Sequence, residues 1–453
     1  MMLESSTNTG IHYISIGAVD QIGASAHYLR LGDWGILLDA GLDPASLDES
    51  ALPDFELIKD QPVNAIIVSH AHLDHLGALP VAIRYFPHAR IYMTPATAAL
   101  SEALLFHYLK VREKRGREER VELPYLYNAQ DVENLLFLFQ SFRYNFPFKI
   151  HGFHESDIHI TFWDAGHILG SAGVEIEWRG RTLFYTGNTK KSAQFILKGA
   201  DYPPTADILI TETTYGSDEQ APLQKKPQEV NRFAHFLREK IRLGGAVLIP
   251  VFALGRTQEI MVLLHRMIRK GKIPPIPIYL TGFGIRINKI YDRLVHKIYP
   301  EYDTQTLDAI SFDTLRGKRF HKPCVILATS GMMMPNTISY EIAADFLLER
   351  GNAIAFVGWA DPETPGGSLR GKKLQKIKEI FGVKQILCDV EVFRFSAHSH
   401  REELLLLVKR LAPQKTVLCH GEPEALKWME HQIVKRKLSP QVWIPQKGEE
   451  TIL

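Results

Sequence analysis

The sequence predicts an α/β protein that contains a parallel, doubly wound sheet. Between residues 246 and 390, short apolar runs alternate with helical segments: AVLIPV is followed by TQEIMVLLHRMIRK, IPIYLTG by INKIYDRLVHKI, and CVILATSG by ISYEIAADFLLER. This alternation is typical of such a sheet. The chain of 453 residues is 45% hydrophobic and 23% charged, close to the globular average, which argues against a disordered or coiled-coil protein.

Strands open the chain, and strands and helices then alternate. IHYISIGAV, SAHYLRL and WGILLDAGL have the pattern of strands joined in hairpins. The apolar run NAIIVS precedes a helical pattern from about Leu73 to Phe86, so residues 70–75 are expected on a strand-to-helix loop. We expect helices over 96–115 and 129–143, strands over 157–188, and further strand and helix segments after 401.

Charge is distributed unevenly along the chain. The formal charge of +2 divides into −9 for residues 1–216, +9 for 217–390 and +2 for 391–453. A basic middle segment suits a polyanionic partner, although solvated surface charge explains it equally well. No apolar run approaches the ~18 residues of a membrane helix, and the start MMLESSTNTG lacks the features of a signal peptide. We therefore expect a cytoplasmic protein with no membrane partner.

The strongest local signal is an HxHxDH box formed by His70, His72, Asp74 and His75. Two histidines one residue apart on extended backbone point the same way, and the following Asp and His turn back toward the same pocket. The three cysteines form no CxxC pair, which excludes a thiolate zinc cage. Imidazole and carboxylate ligands suit Zn²⁺, with Mn²⁺ as an alternative, and the box can serve two adjacent ions.

Other motifs accompany this box. They are LLDAG with Asp39, AGHILGSAG with His167, TETTYG with Glu212, FSAHSH with His398, CHGE with His420, and the later segments VFALGRTQE, ATSGMM and FVGWADPETPGGSL. With these motifs the chain resembles the metallo-β-lactamase superfamily over essentially its whole length, and its β-CASP branch of nucleic-acid-processing enzymes in particular. The resemblance implies a four-layer αββα metallo-β-lactamase domain over 1–216 and 391–453, with a Rossmann-like β-CASP cap domain inserted at 217–390.

The resemblance also implies the roles of individual residues. It places His70, His72 and His167 on one metal ion, and Asp74, His75 and His420 on a second. Asp39 would support a ligand loop. Asp74, Glu212 and His398 would be the catalytic groups, with His398 giving a proton to the leaving group or clamping the phosphate while Glu212 fixes its orientation. A histidine at the His420 position is usual in RNA-processing members.

One position departs from the family pattern. The family's fourth motif usually reads YTGD, with an Asp that bridges the metals, whereas this chain has Tyr185-Thr186-Gly187-Asn188. A neutral amide oxygen can hardly bridge two cations, so activity should be weakened or absent. Two explanations stay open: a nuclease inactivated by design, which the six intact ligand positions favour, or a natural variant with altered metal chemistry.

Five residues of the middle segment are candidates for contact with phosphate. Arg256 stands between an expected strand and helix, where backbone N–H groups can hold an anion. Ser330 and Gly331 form a similar loop, and Lys372 and Lys373 begin a basic run from Arg370 to Lys378. A turn of the chain or a solvated helix face accounts for these features as well.

We expect a metal-dependent ribonuclease that hydrolyses single-stranded RNA with two metals, as an endonuclease, a 5′-to-3′ exonuclease or both. The alternative is a catalytically silent RNA-binding subunit, which Asn188 favours. A small-molecule hydrolase of the same fold would lack the cap. We also expect the protein to take part in an RNA-processing or ribonucleoprotein complex and to form a homodimer.

Overall fold

The computed structural model describes residues 10–43, 45–151, 155–220, 225–299, 313–315 and 319–453. Contacts between residues divide the chain into two compact units. The first unit comprises 1–192, 199–219 and 398–453, and the second comprises 193–198 and 220–397. No helix among the described residues is long and apolar enough to cross a membrane.

The first unit contains two sheets of seven strands. Its amino-terminal elements are β1 (Ile11–Ser15), β2 (His27–Leu31), β3 (Trp34–Leu38), β4 (Ala65–Ile67), α1 (Leu73–Leu76), α2 (Leu79–Tyr85), β5 (Arg90–Met93), α3 (Pro95–Glu119), α4 (Ala129–Leu136), β6 (Phe139–Ser141), β7 (Phe148–His151), β8 (Glu155–Asp164), β9 (Ala172–Trp178), β10 (Arg181–Tyr185) and β11 (Ile208–Glu212).

The second unit and the end of the chain follow. The second unit contains α5 (Lys226–Arg242), β12 (Ala246–Val251), α6 (Arg256–Arg269), β13 (Ile278–Leu280), α7 (Phe283–Ile298), β14 (Asp313–Thr314), β15 (Cys324–Thr329), α8 (Ile338–Leu347), β16 (Ala353–Phe356), α9 (Pro365–Arg370), α10 (Leu374–Phe381) and β17 (Asp389–Val392). The chain then returns to the first unit with α11 (Arg401–Leu411), β18 (Lys415–Cys419), α12 (Pro423–Lys435), β19 (Gln441–Trp443) and β20 (Glu450–Ile452).

The two sheets of the first unit share one hydrophobic core. Their strand orders are β20-β1-β2-β3-β4-β5-β6 and β19-β18-β11-β10-β9-β8-β7. Alternate residues of β11 show how the layers form: Ile208 and Ile210 face the core between the sheets, whereas Leu209 packs with the residues of α11 and α12. α1 to α4 contribute nothing to the shared core, and α3 packs on the other face of the first sheet, where the Ser101 hydroxyl lies 3.9 Å from Met93 Sδ. The unit therefore has four layers in the order αββα.

The second unit is built on a parallel sheet of six strands in the order β14-β13-β15-β12-β16-β17. Every neighbouring pair is parallel. β12, β15 and β16 lie within the sheet, and their residues are almost entirely buried, as expected when helices cover both faces. The predicted α/β class with a doubly wound parallel sheet is confirmed.

Three details differ from the sequence predictions. The helix expected over 129–143 ends at Leu136, and Phe139–Ser141 pairs with β5 as the edge strand of the first sheet. The boundary predicted between 390 and 391 falls inside β17, which pairs with β16 along its whole length. Residues 193–198 also group with the second unit.

Candidate metal centre

The HxHxDH box begins on the loop that leaves β4 and ends in α1, which contains Asp74 and His75. The segment after β3 holds this part of the chain in place. The Ala40 N–H donates to the His75 carbonyl at 2.9 Å, and the Leu42 N–H donates to the Leu73 carbonyl at 2.9 Å. A Cβ atom on Gly41 would stand 1.7 Å from the Asp74 carbonyl oxygen. Only glycine permits the two segments to approach so closely.

Asp39 is the centre of a buried hydrogen-bond network beneath the loop. Its Oδ1 accepts the Ser69 N–H at 2.6 Å. Its Oδ2 accepts the Ser69 hydroxyl at 2.8 Å, the His75 Nδ1–H at 2.7 Å and the Tyr185 hydroxyl at 2.7 Å. Because Asp39 engages Nδ1 of His75, the Nε2 atom of that ring is the one left to bind a metal.

Three histidines bring nitrogen atoms together at the first candidate metal position. His72 Nδ1 lies 3.2 Å from His70 Nε2 and 3.1 Å from His167 Nε2. Zinc with bonds of 2.0–2.1 Å to tetrahedral nitrogen ligands separates those ligands by about 3.3 Å. Burial, and after it the neighbouring imidazoles, hold the pKa of His70 well below its usual range. His70 is therefore neutral, which is the form that binds metal.

Asp74, His75 and His420 form a second triangle of donor atoms. His420 Nε2 lies 3.2 Å from His75 Nε2 and 3.3 Å from Asp74 Oδ2, and the third side measures 3.4 Å. The donor atom of His70 lies within 4.8 Å of those of Asp74 and His75, so the two positions are adjacent. Burial opposes a charge on His75, but Asp74 and Asp39 outweigh it and raise the pKa of His75 to about 10 without metal.

Asn188 follows β10 and stands next to Thr189, whose backbone N–H donates to Glu212. The preceding Gly187 packs against Ser69, since a Cβ on Gly187 would lie 2.8 Å from the Ser69 Cβ. The Asn188 side chain is 3% exposed, and its Oδ1 has no hydrogen-bond partner among the described residues. A buried acceptor without a partner costs about 1–3 kcal/mol, and a cation would satisfy it. The donor set and this orphaned oxygen both fit a metal centre.

Glu212, which is buried, and His398, which is partly exposed, form a pair beside the first triangle. His398 Nδ1 donates to Glu212 Oε2 at 2.9 Å, and the Thr189 N–H donates to Glu212 Oε1 at 2.6 Å. The His398 and His167 rings lie 4.5 Å apart between centroids. Burial raises the pKa of Glu212, but His398, His420 and Thr214 together outweigh it, and the pKa falls below its usual value. Glu212 thus stays ionised and fixes the tautomer of His398.

Comparison with known proteins identifies the family. Three family sequence models match: the metallo-β-lactamase superfamily domain over 28–212, the β-CASP domain over 257–369, and the Zn-dependent metallo-hydrolase RNA specificity domain over 384–445. An RNase J-like protein of Methanocaldococcus jannaschii is 30% identical over 90% of this chain and 91% of its own length. The chain belongs to the β-CASP branch of the metallo-β-lactamase superfamily.

Other relatives of this β-CASP protein are longer. The transcription termination factor FttA of M. jannaschii is 30% identical over 95% of this chain and 70% of its own length. The cleavage and polyadenylation specificity factor 73 of Drosophila melanogaster is 28% identical, and the alignment spans 59% of its length. A solved structure from Enterococcus faecalis, of a protein of unknown function, shares the fold with a TM-score of 0.57 over 98% of this chain and 100% of its own, at 13% identity.

The phosphate-binding candidates all lie in the β-CASP unit. Arg256 is 7% exposed and its Nη2 donates to Gln194 Oε1 at 3.1 Å, so its guanidinium is engaged within this unit. Ser330 has a φ of +87° and precedes Gly331 on the loop after β15. Lys372 lies 3.8 Å from Glu391, and Lys373 lies 3.7 Å from Glu363. Phosphate binding by these five residues stays a prediction.

Several residues that support the centre were not predicted from the sequence. Tyr185 and Ser69 complete the network around Asp39, and Thr214 Oγ1 lies 3.2 Å from His420 Nδ1. The Ser171 hydroxyl accepts the His167 N–H at 3.1 Å. Each is a neighbour of a recognised motif, but only the folded chain reveals which ligand it orients.

Proposed function

We propose that this β-CASP protein is built as a metal-dependent ribonuclease for single-stranded RNA, and that Asn188 weakens or abolishes its hydrolysis. The observation that carries the proposal is the pair of donor triangles next to the Glu212–His398 pair. The names of its relatives, an RNase J-like protein and a polyadenylation factor among them, support RNA as the substrate and an RNA-processing complex as the setting.

His70, His72 and His167 would hold one Zn²⁺ ion, and Asp74, His75 and His420 would hold the other. Bound divalent metals supply Lewis acidity at the phosphate and lower the pKa of water toward neutrality. Asp39 keeps the proton of His75 on Nδ1. This arrangement preserves Nε2 of His75 as a ligand atom.

His398 would act on the leaving oxygen. Glu212 binds Nδ1 of His398, which leaves Nε2 of the same ring to give a proton to the leaving 3′ oxygen or to bind the phosphate. The His398 side chain is 18% exposed, so a substrate can reach it, whereas Glu212 is 1% exposed. Glu212 is accordingly a positioning residue that acts through His398.

Restoring the carboxylate tests the proposal. Asn188→Asp should raise the metal content toward two ions per chain and switch on or sharply increase RNA hydrolysis, because ligand-shell changes alter metal affinity or activity by ~10–100-fold or more. The measurements are elemental analysis after dialysis and cleavage of a labelled single-stranded RNA. Asn134→Asp makes the same chemical change at an exposed position of α4 and should alter neither quantity.

A second substitution separates the roles of the site residues. Adding His398→Ala to Asn188→Asp should remove most cleavage and leave the metal content unchanged, since His398 is assigned to proton transfer and not to ligation. If Asn188→Asp binds two metals and still leaves several single-stranded RNAs intact, the silent RNA-binding subunit becomes the better account. Cleavage by the unaltered chain at the rate of the Asn188→Asp protein would show that the carboxylate is dispensable.

A further inference from the structure

Helix α7 (Phe283–Ile298) carries its positive charges on one side. Its inner face buries Ile287, Tyr291 and Val295, at successive spacings of four residues. Arg286, Lys289, Arg293 and Lys297 are all exposed and follow one another at spacings of three, four and four residues. Such spacings place side chains along one face of an α-helix. These four residues are called the α7 row below.

The α7 row differs from two other basic clusters because its four cations have no acidic partner among the described residues. None of its four side chains forms an ion pair or hydrogen bond with any described residue. In the basic run of α9 and α10, by contrast, Lys376 lies 2.7 Å from Glu363. On α3, Lys114 lies 3.5 Å from Glu118. Like charges three and four residues apart repel one another and destabilise a helix. An external anion would remove this repulsion.

The dimensions of the α7 row suit a phosphodiester chain. Eleven residues separate Arg286 from Lys297, which corresponds to about 16 Å along the helix axis. A stacked nucleic acid strand advances about 3.4 Å per phosphate, so a strand lying along the helix would present about five or six phosphates to four cations. Two of the four are arginines, whose guanidinium groups bind phosphate with two parallel hydrogen bonds.

The chemistry of this face favours a nucleic acid over a protein partner. Protein interfaces rely on buried aromatic and apolar anchors. The exposed large hydrophobic side chains among the described residues include none from α7. A face of cations without an apolar anchor is typical of binding to a phosphate backbone.

We propose that the α7 row binds the phosphate backbone of single-stranded RNA without reading its sequence. The proposal rests on the proposed function only in taking RNA as the occupant. It adds a binding surface on the β-CASP unit. This surface includes none of the proposed metal ligands and none of the five candidates for phosphate contact. The row contributes affinity, while the chemistry stays with the residues of the metal centre.

The test compares two variants with equal changes of charge. One replaces Arg286, Lys289, Arg293 and Lys297 by Gln. The matched control replaces two exposed lysines and two exposed arginines at the end of α3, Lys110, Lys114, Arg117 and Arg120, by Gln. Fluorescence anisotropy of a labelled 20-nucleotide oligouridylate gives the affinity of each full-length protein at three NaCl concentrations. Thermal unfolding verifies that both variants fold.

The α7 variant should lose at least about tenfold in affinity, and its slope of log K against log salt should flatten by about 2 to 3, since each contact with a single strand contributes about 0.7. The α3 control should retain the affinity and slope of the parent. Replacing Arg286 and Arg293 by Lys and Lys289 and Lys297 by Arg keeps the charge and should preserve binding. An unchanged slope in the α7 variant, or an equal loss in the α3 control, overturns the proposal.

Two further outcomes separate this proposal from the proposed function. If the α7 variant binds RNA like the parent but loses affinity for polyglutamate, the row is a protein-binding surface and the RNA assignment is wrong. If the parent itself fails to bind RNA at low salt, the proposed function and this inference both fall. RNA hydrolysis by the Asn188→Asp protein is measured separately, so loss of catalysis alone leaves the binding result intact.

Discussion

Replacing Asp39 by Asn should weaken the metal centre, although Asp39 is not itself a proposed ligand. In either orientation, the new amide group meets hydrogen-bond donors. If the NH₂ group takes the place of Oδ1, it opposes the Ser69 N–H. If it takes the place of Oδ2, it faces the donors of Ser69, His75 and Tyr185. His75 can then accept at Nδ1 only by moving its proton to Nε2, the atom proposed to bind metal.

The size of the effect follows from these contacts. Loss of a partner that orients a ligand typically lowers metal affinity ~10–100-fold, which is about 1.4–2.7 kcal/mol. Loss of hydrogen bonds to a charged acceptor should also lower the free energy of unfolding by about 2–4 kcal/mol. Titration of zinc against a competing chromophoric chelator measures the first quantity, and urea unfolding with and without zinc measures the second.

Tyr185→Phe is the matched control for Asp39→Asn. It removes one neutral donor to Asp39 Oδ2 and leaves the carboxylate to hold the proton of His75 on Nδ1. Its free energy of unfolding should fall by about 1 kcal/mol, with zinc affinity nearly unchanged. A folded Asp39→Asn protein with the zinc affinity of the parent would refute the claim that Asp39 orients His75.

Three other substitutions test separate parts of the structure. Gly41→Ala should reduce zinc affinity in the same titration, because its Cβ would stand 1.7 Å from the Asp74 carbonyl oxygen and displace the metal loop; parental affinity would contradict this packing. Glu259→Gln should lower the free energy of unfolding by about 1–3 kcal/mol, because the Glu259 carboxylate accepts three backbone N–H groups at 2.5, 3.0 and 3.3 Å. Burial raises the pKa of Glu403, but cations led by Lys190 outweigh it and lower that pKa below 4.5. The parent should therefore exceed Glu403→Gln in stability above pH 4.5 and lose this advantage as pH falls through the depressed pKa, as urea unfolding at several pH values would reveal.

The core of the metal centre could be predicted because its chemistry is local in the sequence. Four proposed ligands occur within six consecutive residues at the end of an apolar run, and the structure brings them together with His167 and His420. The contacts that orient them could not be predicted from spacing. Asp39 and Tyr185 are separated by 146 positions in the chain. The hydrogen bond between these two side chains depends on how the two sheets pack.

The local sequence pattern led to a wrong prediction where pairing between strands distant in the sequence decides the structure. The segment ENLLFLFQSF reads as one apolar helix, yet the helix ends at Leu136 and residues 139–141 form a strand. Parallel pairing with β5 stabilises this short strand, and nothing in the local sequence predicts that pairing. Similarly, residues 193–198 lie far in sequence from the β-CASP segment, but their backbone N–H groups bind Glu259 and so join them to the second unit.

The distribution of charge along the sequence is a second case in which the tertiary structure decides the outcome. The sequence reveals that residues 217–390 carry an excess of +9, and the densest run, from Arg370 to Lys378, was the natural candidate for RNA contact. In the structure Lys372, Lys373 and Lys376 each lie within 4 Å of a carboxylate, which reduces the field they present to a polyanion. The less dense α7 row has four exposed cations, and none of them forms an ion pair with a described residue. Counting charges locates the basic segment, whereas the helical phase and the ion pairs decide which part of it can bind a phosphate chain.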